Sequence, residues 1–176
     1  MITLAEYQKT LLDLMKGRAA ASPFTDPHLA EVAQSPGLGL LREIAVWWRG
    51  FAVETNCPWT ARLLKELGGF DSDVETFYRG QNVSPYVEKA GEQFLLQMSS
   101  SSAPLVAAMA RFELAIMKVK QGDAETHCVE WDRNPEQVFQ FLKSARDLPP
   151  TEPGLTYRMY IAHDIPELVR CEVSQE

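Results

Sequence analysis

The sequence is poor in the side chains that bind metals or build disulfide frameworks. Its 176 residues include three cysteines and three histidines. An odd number of cysteines at unrelated spacings argues against a disulfide framework or an all-cysteine zinc site, so we expect buried free thiols. His127 and Cys128 would point to opposite faces of a predicted strand and so cannot share an ion. We therefore expect no metal site in this chain.

Long apolar runs are also missing. No segment approaches the roughly 18 apolar residues of a membrane span. The opening residues MITLAEYQKT lack the basic start and the apolar core of a secretory signal. We therefore expect the chain to be cytoplasmic and to have no membrane partner.

Positive charge is scarce, and its shortage is uneven along the chain. There are 17 Lys and Arg against 24 Asp and Glu, a formal net charge of −7. Residues 1–120 have 12 basic and 13 acidic side chains, whereas residues 121–176 have 5 and 11. Because nucleic-acid affinity comes mainly from basic side chains that neutralise phosphates, we expect no nucleic-acid partner. A basic or neutral partner suits the acidic end better.

The first two thirds of the chain follow the helical period. Thr3 and Glu6 have the spacing of a capping box, which predicts a helix start. Asp26-Pro27 and Pro104 are typical of further helix starts. Residues 40–55 carry one wide apolar stripe, which we expect to lie in the core. Other helices are predicted at 60–69, at 71–80 and from Ser84-Pro85 onward.

The pattern changes to strand spacing towards the C-terminal end. Residues 126–131 and 155–162 alternate in the manner of strands, and another strand begins at Val169. Asn134-Pro135 predicts a helix between the first two strands. We assign the chain to the α+β class, with two lobes: a helical bundle, residues 1–120, and a small strand, helix and hairpin lobe, residues 121–176.

No arrangement typical of a catalytic centre stands out. The sequence has no nucleophilic Ser or Cys on a recognisable turn. A position near a helix N-terminus would lower the thiol pKa of Cys57, but a packed cysteine before a helix-starting proline is the simpler interpretation. Four glutamates on predicted helices are candidates for paired acid and base work, although sequence alone brings no two of them together. They are Glu43, Glu54, Glu88 and Glu113.

Two features suggest surfaces that bind partners. Trp47 and Trp48 are neighbours on a predicted helix, so we expect one to face the core and the other to be available to an interface. Three short strands leave at least one sheet edge unpaired, and such an edge can take an extended peptide as an added strand. An edge shielded by the chain's own termini is the alternative.

One ordered set of segments resembles a known family. In chain order it comprises an opening L-x-x-Y-Q helix, Trp48-Arg49, Cys57-Pro58, Leu63-Leu64, Leu67-Gly68, Ser84-Pro85, Gly91-x-x-Phe94, and Pro104-Leu105 followed by Met109 to Glu113. The last stretch is close to the family's P-x-L-x-x-x-A-R-x-E pattern. Together these segments resemble the small partner subunits of multi-iron TIM-barrel enzymes that modify cysteine in ribosomally made peptides, as in methanobactin, 3-thiaglutamate and copper-buffering peptide pathways.

The resemblance covers roughly residues 4–120 and implies a noncatalytic accessory subunit. The helical lobe would form a heterodimer with an iron-dependent TIM-barrel enzyme, and the sheet lobe would help hold the leader of a precursor peptide. The irons would belong to the partner, so this chain would have no cofactor of its own. Because the helical segment of the family was once catalogued as a DNA-binding domain, a transcription-regulating protein is the alternative. An independent enzyme that uses Cys57 is a third.

The hairpin supplies the candidate residues for leader binding. They are Tyr157, Met159 and Ile161 on one face, Arg158 and Tyr160 on the other, and Val169 and Cys171 on the opposite strand. The sequence does not decide which face is buried. The acidity of this region, for example at Glu167 and Glu172, predicts Lys or Arg in the leader near the docking stretch.

The candidates for docking on the enzyme are Trp47, Trp48 and Arg111. Each of them is also a candidate for holding the helical lobe together. A contact between Arg111 and Glu113 is not expected, because side chains two positions apart diverge on a helix.

Overall fold

The computed structural model describes residues 2–19, 24, 26–80, 86–144 and 147–175. These ranges contain eight α-helices and three strands, which confirms the α+β class. The predicted helix start at Ser84-Pro85 lies outside the described residues. None of the described helices combines the length and apolarity that crossing a membrane requires. The elements are α1 (Leu4–Met15), α2 (Pro27–Gln34), α3 (Pro36–Asn56), α4 (Pro58–Glu66), α5 (Phe70–Gly80), α6 (Val87–Met98), α7 (Pro104–Lys120), β1 (His127–Trp131), α8 (Pro135–Ser144), β2 (Leu155–Ile161) and β3 (Val169–Gln175).

The helices begin where side chains satisfy their free backbone N–H groups. At α1 the Glu6 N–H donates to the Thr3 hydroxyl and the Thr3 N–H donates to the Glu6 carboxylate, which confirms the predicted capping box. At α2 the Asp26 carboxylate accepts hydrogen bonds from two backbone N–H groups. Proline occupies the first position of α2, α3, α4 and α7, where its missing N–H costs nothing.

α7 is the most deeply packed helix of the bundle. Eleven of its 17 residues are buried, four of them alanines. It packs against α4 and α6 on the helical side and against β1 and β2 on the sheet side. Small side chains allow this many neighbours to approach one helix, so α7 joins the bundle to the sheet.

α3 and α6 approach each other closely at Gly91. A β-carbon at this position would lie 2.8 Å from Asn56 Cβ and 3.2 Å from Cys57 Sγ. The Cys57 thiol is fully buried at the same contact, 3.4 Å from the Gly91 carbonyl oxygen. Glycine is therefore required at position 91, because a larger side chain would not fit between α3 and α6.

The three strands form an antiparallel sheet in the order β1-β2-β3. Met159 on the central strand lies opposite Val129 of β1 and opposite Cys171 of β3. The strand predictions for 126–131 and 155–162 are confirmed to within one residue at each end. α8 lies between β1 and β2 in the chain, as Asn134-Pro135 predicted.

One hydrophobic core extends through both predicted lobes. Phe94 of the bundle and Ile161 of the sheet belong to the same buried cluster. The predicted boundary at residue 120 coincides with the end of α7, and the core is continuous across it. A smaller cluster, built on Leu14, Leu29 and Leu38, holds α1 and α2 against the start of α3.

The apolar stripe predicted within residues 40–55 is mostly exposed, so the prediction that it lies in the core is wrong for five of its six members. The five are Leu40, Leu41, Ile44, Trp48 and Phe51, while the sixth, Ala52, is buried; Trp47 extends the exposed surface. We call this surface the α3 stripe; its members are 44–62% exposed. α3 turns its other side, with Ala52 and Val53, to the interior. The helix is apolar on two sides, and periodicity alone does not tell which side the other helices cover. The α3 stripe consists of Leu40, Leu41, Ile44, Trp47, Trp48 and Phe51.

We expect Gly91→Ala to destabilise the protein and Gly39→Ala not to. The methyl group at Gly91 would overlap Asn56 Cβ, so the free energy of unfolding should fall by about 1–3 kcal/mol. Gly39, also inside a helix, has nothing within 4 Å of the place that an alanine methyl group would take, so alanine should add about 0.5–1 kcal/mol there through helix propensity. Urea unfolding followed by circular dichroism measures both changes. Equal effects of the two substitutions would contradict the close approach at Gly91.

Candidate functional site

A groove of about 720 Å³ opens between α8 and β3. We call it the β3 groove. One wall is the side of α8, the other is the inner face of the sheet, and two aromatic residues come from the helical bundle. The lining residues are Asn134, Pro135, Glu136, Phe139, Gln140 and Lys143 from the α8 side; Tyr157, Met159, Glu167, Val169, Cys171 and Val173 from the sheet side; and Trp59 and Phe112 from the bundle.

The groove exists because the inner face of the sheet is only partly covered. Tyr157 and Met159 on the central strand are buried. Their register partners on β3 are Val173 and Cys171, and both of these are exposed, Val173 to 59%. Paired residues of neighbouring strands share a face. β3 therefore presents apolar side chains on the core side of the sheet that no described element covers.

A cluster of aromatic rings lines one part of the groove. The Phe139 ring centroid lies 5.2 Å from that of Trp59 and 5.2 Å from that of Phe112. Both contacts are tilted or edge-on, which is the favoured geometry for aromatic pairs. The rings hold one another in place and offer a rigid apolar surface to a side chain that enters from outside.

The outer edge of β3 is open as well. β3 pairs with β2 from Val169 to Gln175, and no strand within the described ranges pairs with its other edge. The unpaired N–H and C=O groups of an edge strand can bind an extended chain as a further strand. Seven strand residues span about 23 Å, so the edge accommodates a peptide segment of similar length beside the groove.

Acidic side chains outnumber basic ones in the groove. Glu136 and Glu167 belong to the lining, and Lys143 is its basic member. The Lys143 ammonium lies 5.8 Å from the Trp59 ring centroid, so part of its interaction is with the aromatic face. Glu172 lies on the outer face of the sheet instead, where it pairs with Arg170 at 3.1 Å. The groove thus suits a ligand with basic side chains.

The groove also contains a thiol, that of Cys171. Partial burial, followed by the negative charges of Glu136 and Glu172, raises the pKa of the Cys171 thiol above its ordinary value of 9.0. The thiol is therefore neutral at neutral pH, and a neutral thiol is a poor nucleophile. Cys171 contributes shape and weak polarity to the groove.

Four of the seven residues predicted for leader binding line this groove. They are Tyr157, Met159, Val169 and Cys171. Arg158 and Tyr160 are on the outer face of the sheet, and the Arg158 Nε donates to Glu130 at 2.9 Å. Ile161 is 0% exposed; the prediction that it contacts a peptide is wrong, because it lies on the inner face where the core closes over β2.

Trp47 and Trp48, predicted for docking, are both exposed, to 62% and 57%. The expectation that one of them faces the core is therefore wrong. Their ring centroids are 5.0 Å apart in an edge-to-face contact. Arg111 lies elsewhere: its Nε donates to the Ser99 carbonyl oxygen at 3.0 Å, and it lines a separate cavity of about 210 Å³. The structure does not place Arg111 in the α3 stripe.

Glu113 is the buried member of the four glutamates considered for acid and base work. Its carboxylate oxygens accept hydrogen bonds from the backbone N–H groups of Trp59 at 3.0 Å and Thr60 at 2.8 Å. Burial raises the pKa of Glu113, while these two hydrogen bonds act in the opposite direction. The carboxylate thus satisfies the N-terminus of α4 and ties it to α7. The other three glutamates are exposed: Glu43, Glu54 and Glu88.

The structure gives no support to a nucleophilic role for Cys57. The side chain is fully buried. Burial, and secondarily the charge of Glu113, raises the pKa of the Cys57 thiol far above its ordinary range. A protonated thiol without access to solvent cannot attack a substrate in this conformation.

Metal ligands are not grouped in the part of the chain that the structure describes. No three or more His, Cys, Asp and Glu side chains there are placed to hold a metal ion. His127 contacts Asp123 instead, with 3.1 Å between Nε2 and Oδ2. Cys128, its neighbour on β1, is exposed on the opposite face, as strand alternation predicted.

Comparison with models of known protein families, with curated proteins and with solved structures finds no match for this chain. The features of this chain that bear on its function are therefore the β3 groove, the α3 stripe and the ordered segments in the sequence.

Sequence reasoning missed four aromatic or apolar members of the groove: Trp59, Phe112, Phe139 and Val173. Trp59 and Phe112 come from helices remote from the hairpin in the chain, so no local pattern connects them to it. Val173 belongs to the last predicted strand, where it continues the alternation of Val169 and Cys171, but the leader-binding prediction does not include it.

We expect Glu113→Gln to lower the free energy of unfolding by about 1–3 kcal/mol near neutral pH. The glutamine carbonyl oxygen can accept one of the two N–H groups of α4, but its amide NH₂ would face the other N–H and leave it unsatisfied. Urea unfolding measures the change. The matched control is Glu66→Gln on the exposed end of α4, which should have little effect. Equal stabilities of the two variants would contradict the cap.

The raised pKa of Glu113 also predicts how stability depends on pH. The folded state holds this proton more tightly than the unfolded state, whose pKa is near the ordinary 4.5. The pH-dependent part of the contribution of Glu113 to stability is therefore fully present below that value and is lost as the pH rises through the raised folded pKa. The two hydrogen bonds to the N-terminus of α4 contribute separately. The stability difference between the unmodified protein and Glu113→Gln should narrow as the pH rises from 4.5 through the raised folded pKa. A difference that widens instead would contradict the direction of the shift.

Proposed function

We propose that this chain is a noncatalytic accessory subunit that binds the leader of a ribosomally made precursor peptide in the β3 groove. In this proposal it forms a heterodimer with an iron-dependent peptide-modifying enzyme of the cytoplasm. The observation that carries the proposal is the juxtaposition, along β3, of an open strand edge and an uncovered apolar inner face. The identity of the ligand as a leader, and of the partner as an iron enzyme, rests on the ordered sequence segments.

A peptide added to β3 would use the groove and the edge together. Its backbone would pair with the free N–H and C=O groups of β3, which supply affinity for any extended sequence. Every second side chain would point to the inner side of the sheet, where Phe139 and Val173 offer apolar surface. Selectivity would come from those alternate side chains.

Charge would add a preference for a basic leader. Glu136 and Glu167 line the groove, and one cation, Lys143, accompanies them. Complementary charges on two partners affect the association rate and the specificity of binding more than its affinity. A leader with Lys or Arg beside its apolar residues fits this distribution best.

The chain's own residues offer a structural role and not a reaction. The thiols of Cys57 and Cys171 have raised pKa values, and the carboxylate of Glu113 is engaged by the N-terminus of α4. In the proposed complex the irons and the reacting groups belong to the enzyme.

We expect the gene for this chain to lie beside genes for a TIM-barrel iron enzyme and a short cysteine-containing peptide. Coexpression with that enzyme and iron analysis of each chain would then test the division of labour.

The two exposed cysteines provide a direct test of where a peptide binds. Cys171 lies in the β3 groove, whereas Cys128 lies on the outer face of β1 at the other side of the sheet. We expect short peptides selected from a random display library for binding to this chain to slow iodoacetamide labelling of Cys171 but not of Cys128. Mass spectrometry after labelling at alkaline pH, where the reactive thiolate form is more abundant, reports both sites in one sample. Bound peptides that protect Cys128, or neither thiol, would contradict the groove as the site.

Charge reversal in the groove tests the preference for a basic peptide. We expect Glu136→Lys with Glu167→Lys to weaken binding of a selected Lys-containing peptide by about tenfold at low salt. The loss should shrink at roughly 1 M salt, where the Debye length is about 3 Å. Glu88→Lys, exposed on α6, is the matched control. Binding that ignores the groove substitutions and the salt concentration would remove the electrostatic part of the proposal.

A further inference from the structure

The α3 stripe is a second apolar surface, and its residues follow the heptad rule. Leu40, Ile44, Trp47 and Phe51 are spaced by four, three and four residues, which is the spacing of alternating d and a positions in a helix-pairing seam. Leu41 and Trp48 widen the seam on one side. All six side chains are 44–62% exposed. This arrangement is typical of a helix that packs along another helix.

The stripe is large enough to hold a partner. Exposed fractions of 44–62% on six side chains of this size correspond to an apolar area of about 600 Å². That is at the upper end of the largest apolar patch on an ordinary monomer, about 300–600 Å². It approaches the area of about 800 Å² that each partner contributes to a standard stable interface.

The aromatic part of the stripe is ordered by its own contacts. The Phe51 ring centroid lies 6.1 Å from that of Trp47 and 5.9 Å from that of Trp48. A cavity of about 230 Å³ opens beside Trp47 and Phe51, with Gly50 and Phe70 also in its lining. Packed aromatic residues next to a cavity are the usual anchors of an interface, because a partner side chain can fill the cavity.

The flank of the stripe that faces α5 carries acidic side chains. Glu54 and Asp71 border the same cavity, and Glu43 lies beside Trp47 in an adjoining cavity. The adjoining cavity also contains three basic residues: Arg79 pairs with Glu75 at 2.6 Å, Arg42 donates to the Leu14 carbonyl oxygen, and Lys16 is buried. Lys65 neutralises Glu54 at 2.7 Å. Glu43 and Asp71 form no ion pair with any residue that the structure describes.

This charge argues against a second copy of the chain as the occupant. In a two-fold pairing of antiparallel α3 helices, the same flank of each copy faces the other, so the two flanks that carry Glu43 and Asp71 would face each other. Like charges at such flanking positions oppose pairing, whereas opposite charges select the partner. The stripe is therefore matched to a different helix with a basic flank.

We propose that the α3 stripe docks an amphipathic α-helix of a partner protein, with apolar side chains at heptad spacing and Lys or Arg along the flank that meets Glu43 and Asp71. That the partner is the iron enzyme rests on the proposed function; the seam and its acidic flank do not depend on it. The β3 groove and the α3 stripe are thus two separate surfaces, one for an extended peptide and one for a helix.

Two designed helices test the inference. The probes are stapled peptides of three heptads, about 21 residues, identical at their apolar positions and carrying either Lys or Glu on the flanks. We expect the Lys peptide to bind about tenfold more tightly than the Glu peptide at low salt, and the ratio to fall at high salt. Isothermal titration calorimetry measures both affinities. Equal affinities, or no binding of either helix, would overturn the proposal.

Substitutions locate the binding on the protein. Ile44→Ser with Trp48→Ser should weaken the Lys peptide by about tenfold or more. Leu96→Ser is the matched control, since Leu96 is 49% exposed on α6 and outside the stripe. Analytical ultracentrifugation of the unmodified protein tests whether a second copy of the chain binds the stripe instead. A concentration-dependent dimer that the stripe substitutions abolish would show that it does, and would overturn the proposal of a partner helix.

The test of helix docking on the α3 stripe and the test of leader binding in the β3 groove can fail independently of each other. Labelling of Cys171 in the presence of groove peptides does not depend on the α3 stripe, and the stripe variants should leave that protection unchanged. If the Lys peptide fails while groove peptides still protect Cys171, only the docking inference is lost. If the reverse occurs, the helix-binding surface stands and the leader-binding proposal falls.

Discussion

The hydrogen bonds between the Glu113 carboxylate and the first turn of α4 hold the site of this protein together. They fix α4 to α7 through Trp59 and Thr60, at 3.0 and 2.8 Å. Trp59 then reaches the β3 groove, and Phe112, the neighbour of Glu113, lines the same groove. A buried carboxylate is tolerated here because two helix N–H groups, which would otherwise be unsatisfied, share its charge. The groove is therefore a product of the helical bundle as much as of the sheet.

Two apolar surfaces remain open in the described structure, and they differ in shape. The β3 groove borders a free strand edge and contains acidic side chains, both of which suit an extended basic peptide. The α3 stripe is a ridge of aliphatic and aromatic side chains at heptad spacing, which suits a helix. The proposed role as an adaptor between a peptide and a larger protein rests on these two surfaces.

Local signals in the sequence predicted the elements well, because those signals act over a few residues. The capping box at Thr3, the proline starts and the change of period near β1 all describe hydrogen bonding or side-chain spacing within one element. The errors concern which face is covered. The stripe of α3 and the inner face of β2 are both apolar, yet the first is exposed while Ile161 is fully buried. Periodicity identifies a face but not its neighbour.

The α+β class, the order of the elements, the acidic character of the C-terminal region and most of the strand that borders the groove follow from the amino-acid sequence. Long-range packing was needed to establish that α8 leaves β3 uncovered, that Trp59 and Phe112 meet Phe139, and that both tryptophans of α3 face outwards. The reason is that hydrogen-bonded elements depend on neighbours in the chain, whereas burial depends on which remote surfaces pack together, and several apolar surfaces compete for the same core.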